Sequence, residues 1–154
     1  MSQFELDVSY GQIAIFDPAL KNPFNDWSER HNQQGFSWRP GSVSFATIEN
    51  AGEMRVSVLS SEEFHQDGQA IRVIRVPFSV PAAGQIEVAS IADSVLVEVA
   101  PGEYSLYFEH MVLAAEEAMI ANLVFLRRLE EPKILLADDL LSPGYPLLME
   151  AGPA

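Results

Sequence analysis

Residues 4–10 alternate without a break. Phe4, Leu6, Val8 and Tyr10 fall on one side, and Glu5, Asp7 and Ser9 on the other. A period of two is the pattern of a strand with one face buried. Gly11 interrupts it, residues 12–16 form a second short strand, and Asp17-Pro18 ends that one because proline has no N–H for a ladder. The same period returns at 43–48 and 54–60, separated by Asn50-Ala51-Gly52, and the two runs read as a hairpin. It returns again over 71–80, where Ile74, Val76, Phe78 and Val80 face inward and Arg75, Pro77 and Ser79 outward. Pro77 there calls for an edge or a bulge. Further short strands are predicted at 85–89, 94–99 and 103–111, the last with Tyr104, Leu106 and Phe108 on its inner face. Residues 112–120 suit a helical turn, and 121–129 are apolar enough for a strand covered on both faces.

One stretch breaks the rhythm. Residues 17–42 hold both tryptophans and three of the ten prolines. Loops longer than about a dozen residues are uncommon inside compact domains. Phe24, Trp27, Phe36 and Trp38 make this one too aromatic for a solvated linker. Within it Asp26-Trp27-Ser28-Glu29 predicts a helix start, with Asp26 as cap and Glu29 returning the bond. Gly35 stops the helix after about two turns. So short a helix needs pinning, which falls to Trp27 or Phe24. Phe36 to Gly41 reads as a turn-rich return.

Together the pattern predicts an all-β fold: a single-domain β-sandwich of about eight or nine mostly antiparallel strands, with one long loop and short-helix insertion. Residues 1–130 form the sandwich. Residues 131–154, Pro- and Gly-rich after Ser142, form an extension packed on that domain or frayed from it.

Charge narrows the partners. The 154 residues carry a net charge of −13. Such a chain repels phosphate backbones and anionic lipid, so direct nucleic-acid binding and membrane insertion are not expected, whereas a basic protein is. No Lys or Arg occurs between Val76 and Leu126, where Glu87, Asp93, Glu98, Glu103, Glu109, Glu116 and Glu117 all lie. Some of the surface is therefore expected to be acidic. Residues 1–20 do not read as a secretory leader, and no run approaches the roughly 18 apolar residues of a membrane span, so a cytoplasmic location is expected. Oligomeric state is not legible.

Reactive chemistry is sparse. Cysteine is absent. His31, His65 and His110 lack metal-site spacing and read as surface or loop histidines, so no metal or cofactor is expected. The acid pairs Glu62/Glu63, Glu116/Glu117, Glu130/Glu131 and Asp138/Asp139 read as solvated loop charge, and no catalytic residues are assigned. Recognition remains. Tryptophan and arginine are enriched at interface hot spots. Asp26, Trp27, Glu29, Trp38, Glu62 and Glu63 are therefore the expected partner-binding residues, with Trp27 and Phe36 holding the loop down. Two other readings stay open: a β-sandwich module for a small ligand or another protein, and a hydrolase using two convergent carboxylates.

The order of features resembles the competence protein J family. The likeness is carried by Ser9-Tyr10 and the run to Phe16, by Asp26-Trp27-Ser28-Glu29, by Gly35-Phe36, and by Gly41-Ser42-Val43-Ser44-Phe45. Val76-Pro77-Phe78 and Pro101-Gly102-Glu103-Tyr104 continue it. It spans residues 4–110 and more weakly reaches about 130. The resemblance implies a small acidic protein without catalysis of its own that binds and blocks a nuclease, in DNA uptake or as an immunity partner. It supplies no contact residues.

Overall fold

The structure, a computed structural model, describes residues 1–116 and 118–154. Glu117 falls outside the described residues, and with it the expected acid pair Glu116/Glu117. Among those described there are eleven strands. They are β1 (Ser2–Val8), β2 (Gln12–Phe16), β3 (Phe36–Arg39), β4 (Ser42–Ala46), β5 (Gly52–Ser60), β6 (Arg72–Val80), β7 (Gln85–Ala89), β8 (Ser94–Glu98), β9 (Gly102–Leu113), β10 (Ala118–Leu126) and β11 (Lys133–Leu136). Helix is limited to α1 (Glu29–Gln34) and a 3₁₀ turn, Ala114–Glu116.

The strands form two sheets, a six-stranded one in the order β1-β5-β10-β9-β6-β11 and a five-stranded one in the order β3-β4-β2-β7-β8. Pairing is antiparallel except between β5 and β10, which run parallel. The inner faces meet in one core. Phe45 of β4 stacks on Phe108 of β9 with ring centroids 4.4 Å apart. Each such ring contributes about 2–3 kcal/mol by leaving water.

The all-β sandwich matches the period-two reading, but the strand count exceeds eight or nine. The added strands come from segments without clear alternation, notably β3, where a turn-rich return was expected. The expected hairpin of 43–48 with 54–60 does not form. β4 pairs with β2 and β3, whereas β5 pairs with β1 and β10 in the other sheet. Alternation predicts a strand's faces, not its neighbours. Tyr10 leaves the inner face as well. Its φ of 57° turns the chain before Gly11, and its side chain is exposed. Pro77 lies past the reach of β11, which pairs only with Val73, Ile74 and Arg75, so proline sits at a local edge as expected.

The outer face of β9 is also covered. Tyr107 and Met111 pack with Val73, Val124 and Leu126 beneath Phe64, Leu135 and Leu136. Phe64 stacks on Tyr107 at 4.3 Å. Buried Glu109 accepts from the Asp67 N–H (2.7 Å) and from Asn122 Nδ2 (2.8 Å), which ties the 61–70 loop to the sheet.

Two further expectations are corrected by burial. His110 is fully buried and His31 nearly so; His65 is exposed. Nδ1 of His110 donates to the Ile120 carbonyl (2.7 Å), while Nε2 accepts from the Ile48 N–H (3.1 Å). A neutral ring thus links the sheets. Burial, aided by the nearby Arg72 charge, lowers its pKa to about 4 against the upward pull of the Ile120 carbonyl. Asp138 is not solvated loop charge. It receives both Nε (2.6 Å) and Nη2 (2.9 Å) of buried Arg72, whose Nη1 donates to the Ala46 carbonyl (2.6 Å). Burial alone would raise the Asp138 pKa, but the Arg72 guanidinium outweighs it and holds the carboxyl below its usual range. Glu130 likewise pairs with Arg75 at 2.8 Å.

Candidate functional site

The 17–35 segment closes over the β3 side of the smaller sheet. Phe24 meets Phe16 edge-on at 5.8 Å. Asn25 is buried between strands. Its Nδ2 donates to the Ser37 carbonyl (2.8 Å) and the Ser42 carbonyl (3.1 Å), and its Oδ1 accepts from Arg39 Nε (2.7 Å). Trp27, half-buried, donates from Nε1 to Gln12 Oε1 (3.2 Å) and meets His31 edge-on. Phe36 is fully buried. The loop is therefore ordered by polar bonds into the sheet as well as by its aromatic rings.

The helix begins later than the sequence predicts. Ser28, not Asp26, is the N-cap, and the reciprocal bond comes from His31: the Ser28 N–H donates to His31 Nδ1 at 2.9 Å. Asp26 is occupied elsewhere, which leaves Ser28 to cap. Gly35 ends the helix as expected, with φ at 82° and its N–H on the His31 carbonyl (2.9 Å). A Cβ there would meet a Leu141 methyl at 2.9 Å. Gly35 thus serves both a left-handed cap and a close approach of the chain's last segment.

That last segment lies along the loop. The Gln34 side-chain amide exchanges two bonds with Leu148, donating to its carbonyl and accepting from its N–H, both at 2.9 Å. His31 Nε2 donates to the Glu150 carbonyl at 2.8 Å. Asp26 exchanges bonds with Gly152: its N–H donates to the Gly152 carbonyl (2.8 Å) and its Oδ1 accepts from the Gly152 N–H (3.0 Å). The Ala154 N–H donates to the Phe24 carbonyl at 2.8 Å. None of these backbone-directed contacts has a sequence signature, and so none was legible beforehand.

The six expected partner-binding residues lie on three parts of the molecule. Asp26, Trp27 and Glu29 share the approach to α1. Trp38 lies on β3, half-buried, with its indole N–H donating to the Pro77 carbonyl (2.8 Å) across the sandwich corner. Glu62 and Glu63 are exposed on the loop after β5. Glu29 is exposed while Trp27 is half-buried.

Acidic side chains also gather at the opposite side. Register places Glu5 against Arg55 and Asp7 against Glu53. A hydrogen bond that the protonated Glu53 carboxyl gives to Glu5, together with the Glu5 charge, raises the Glu53 pKa. Asp93 Oδ2 accepts from the Asp7 N–H at 3.2 Å. On β7 and β8, Glu87 lies opposite Leu96 and Gln85 opposite Glu98. Arginine is mostly engaged internally: Arg39, Arg72 and Arg75 as above, and Arg30 with the Pro146 carbonyl. Arg127 and Arg128 border a cleft of about 490 Å³ with Ser60, Ser61 and Glu62. Among the described residues no three His, Asp or Glu side chains are grouped to hold a metal. No helix among them is long and apolar enough to cross a membrane.

Fold and surface define an acidic two-sheet β-sandwich whose polar interior bonds hold segments in place. The chain belongs to the competence protein J (ComJ) family, whose model matches residues 5–131. It is similar to the DNA-entry nuclease inhibitor of Bacillus subtilis (strain 168), 28% identical over 103 residues that cover 66% of this chain and 76% of the relative. Its fold is similar to the crystal structure of ComJ, inhibitor of the DNA degrading activity of NucA, from Bacillus subtilis. The TM-score there is 0.63 at 23% identity, covering 82% of this chain and 96% of that one. The last 23 residues, 132–154, which strap the loop, lie beyond the family match.

Proposed function

We propose that this protein binds a DNA-degrading nuclease and inhibits it, without chemistry of its own, in the cytoplasm. The observation that carries this reading is membership of the ComJ family, with a relative named as a DNA-entry nuclease inhibitor. Charge supports it. Nucleases present basic groups to phosphates, and a surface with a net charge of −13 is drawn to them. Glu29, Glu62 and Glu63, exposed on separate elements, act as steering charges. Asp26, Trp27 and Trp38 hold the loop and offer their exposed edges at its rim. Residues 131–154 belong to the same folding unit as the sandwich, as a strap over that loop. A ligand module built on an aromatic platform gains no support, since Phe36 is buried and both indole N–H groups are bonded within the fold.

The test is to mix the protein with the NucA-like nuclease of its own organism and follow DNA degradation. Full protection at micromolar inhibitor is expected, with an association rate that falls as salt rises. Undiminished degradation with no detectable complex overturns the reading.

A further inference from the structure

β8 is the outermost strand of the five-stranded sheet, and among the described residues no strand lies beyond it. Its backbone alternates. The Val99 N–H donates to the Gly84 carbonyl at 3.1 Å, next to the Gln85–Glu98 pair. Antiparallel ladders alternate bonded and non-bonded pairs, so Val97 and Val95 also turn their N–H and C=O groups toward β7. Ser94, Leu96 and Glu98 therefore point theirs outward. An open edge of this kind is a template for another strand.

The side chains match. Leu96 is 57% exposed and Ile91, in the preceding turn, is 48% exposed, so this hairpin presents two large apolar groups to water. Around them are Glu98, Glu87 across from Leu96, and Asp93 at the turn. Asp93 in turn meets Asp7, on whose strand Glu5 crowds Glu53. β1 meets that turn and also comes close to part of β8, while Leu96 and Glu98 stay exposed. A second copy would bring the same carboxylates together, on a chain whose net charge is already −13. A strand bearing lysine or arginine would neutralise them instead.

We propose that β8 is the docking edge for the nuclease, pairing through the outward amides and carbonyls of Ser94, Leu96 and Glu98 with an extended segment of the partner. That segment carries a basic residue beside Glu98 and an apolar one over Leu96. Backbone bonds supply affinity in this mode, and alternate side chains supply choice of partner. The inference rests on the proposed inhibition and adds its location.

The experiment uses the full chain and the NucA-like nuclease of its organism. Inhibition by the wild type is measured first; its absence overturns the functional reading, and the docking with it. Amide hydrogen exchange is then compared in free and complexed protein. Slowing of the Leu96 and Glu98 amides by about tenfold or more is expected on binding. Leu96→Pro removes one outward N–H without touching the β7 ladder, and should weaken inhibition by about tenfold. Glu98→Lys leaves the backbone intact, and should weaken it by at least threefold, an effect on the order of one surface ion pair. Full inhibition with unchanged exchange at β8 and no effect of Glu98→Lys overturns the docking while leaving the functional reading intact. Protection that appears in the free protein as concentration rises, with a dimer mass, places a second copy on the edge and also overturns it.

Discussion

The two edges of the five-stranded sheet are treated in opposite ways. At β3 the chain lays the 17–35 loop, α1 and its last residues over the margin, and ties them with Asn25, Gln34, His31 and Asp26. At β8 no described strand pairs beyond the edge, and Leu96 and Glu98 face water. Covering an edge satisfies its backbone groups internally and removes it as a template. Leaving one open keeps those groups available. The long aromatic loop, the most conspicuous stretch of the sequence, is thus largely an edge cover, and the plain β7–β8 hairpin is the accessible margin.

The largest expected effect tests the body that both edges share. His110 is neutral when folded, with a pKa of about 4 against an ordinary 6.5. Between those values the unfolded chain takes up a proton that the folded one does not. The stabilisation is therefore complete above about pH 6.5 and is lost as pH falls toward 4, by about 3 kcal/mol in all. Urea midpoints across that range should drop accordingly, and His110→Gln should flatten the dependence. The Asp138 carboxyl, held low by Arg72, extends the loss below pH 4.

A somewhat smaller effect breaks the covered edge. Asn25→Ala leaves two strand carbonyls and the Arg39 guanidinium short of a partner, and should cost about 2 kcal/mol in urea unfolding. Exchange should speed in residues 24–34 and not in β8. Equal acceleration at β8 would show that the two edges are not independent.

The smallest effect sharpens the open edge. Leu96→Thr keeps strand propensity and removes only an exposed apolar group, so stability should stay within about 0.5 kcal/mol. A loss above 1 kcal/mol by the same measurement would mean that Leu96 is packed in solution, and that β8 is not an open margin.

Much of the site region was legible before any fold was known. Trp27 as an anchor, Gly35 as a helix stop and the exposure of Glu29 follow from local rules of capping, size and charge. The cap itself was misassigned because Asp26 and Ser28 are both competent, and only the contact with Gly152 removes Asp26 from the choice. Asn25 gave no signal, since an asparagine beside Pro23 and Phe24 reads as a turn residue until strands arrive on both sides of it. The histidines were misread for a related reason. His110 falls on the inner face with Tyr104, Leu106 and Phe108, but a lone histidine there reads as polar until Ile48, from the segment after β4 of the other sheet, brings its N–H to the ring.

By itself, the sequence determined the period of the strands, the sandwich class, the excess of acid and the order of short motifs that marks the ComJ family. These are local or summed properties, and they need no knowledge of which segments meet. Tertiary structure alone decided the pairing of β4 and β5 into different sheets, the parallel contact of β5 with β10, and the choice of covered and open edges. The physical reason is that every strand carries the same backbone donors and acceptors. Alternation states which side of a strand is apolar, but the strand that satisfies its backbone is chosen by packing of the whole chain.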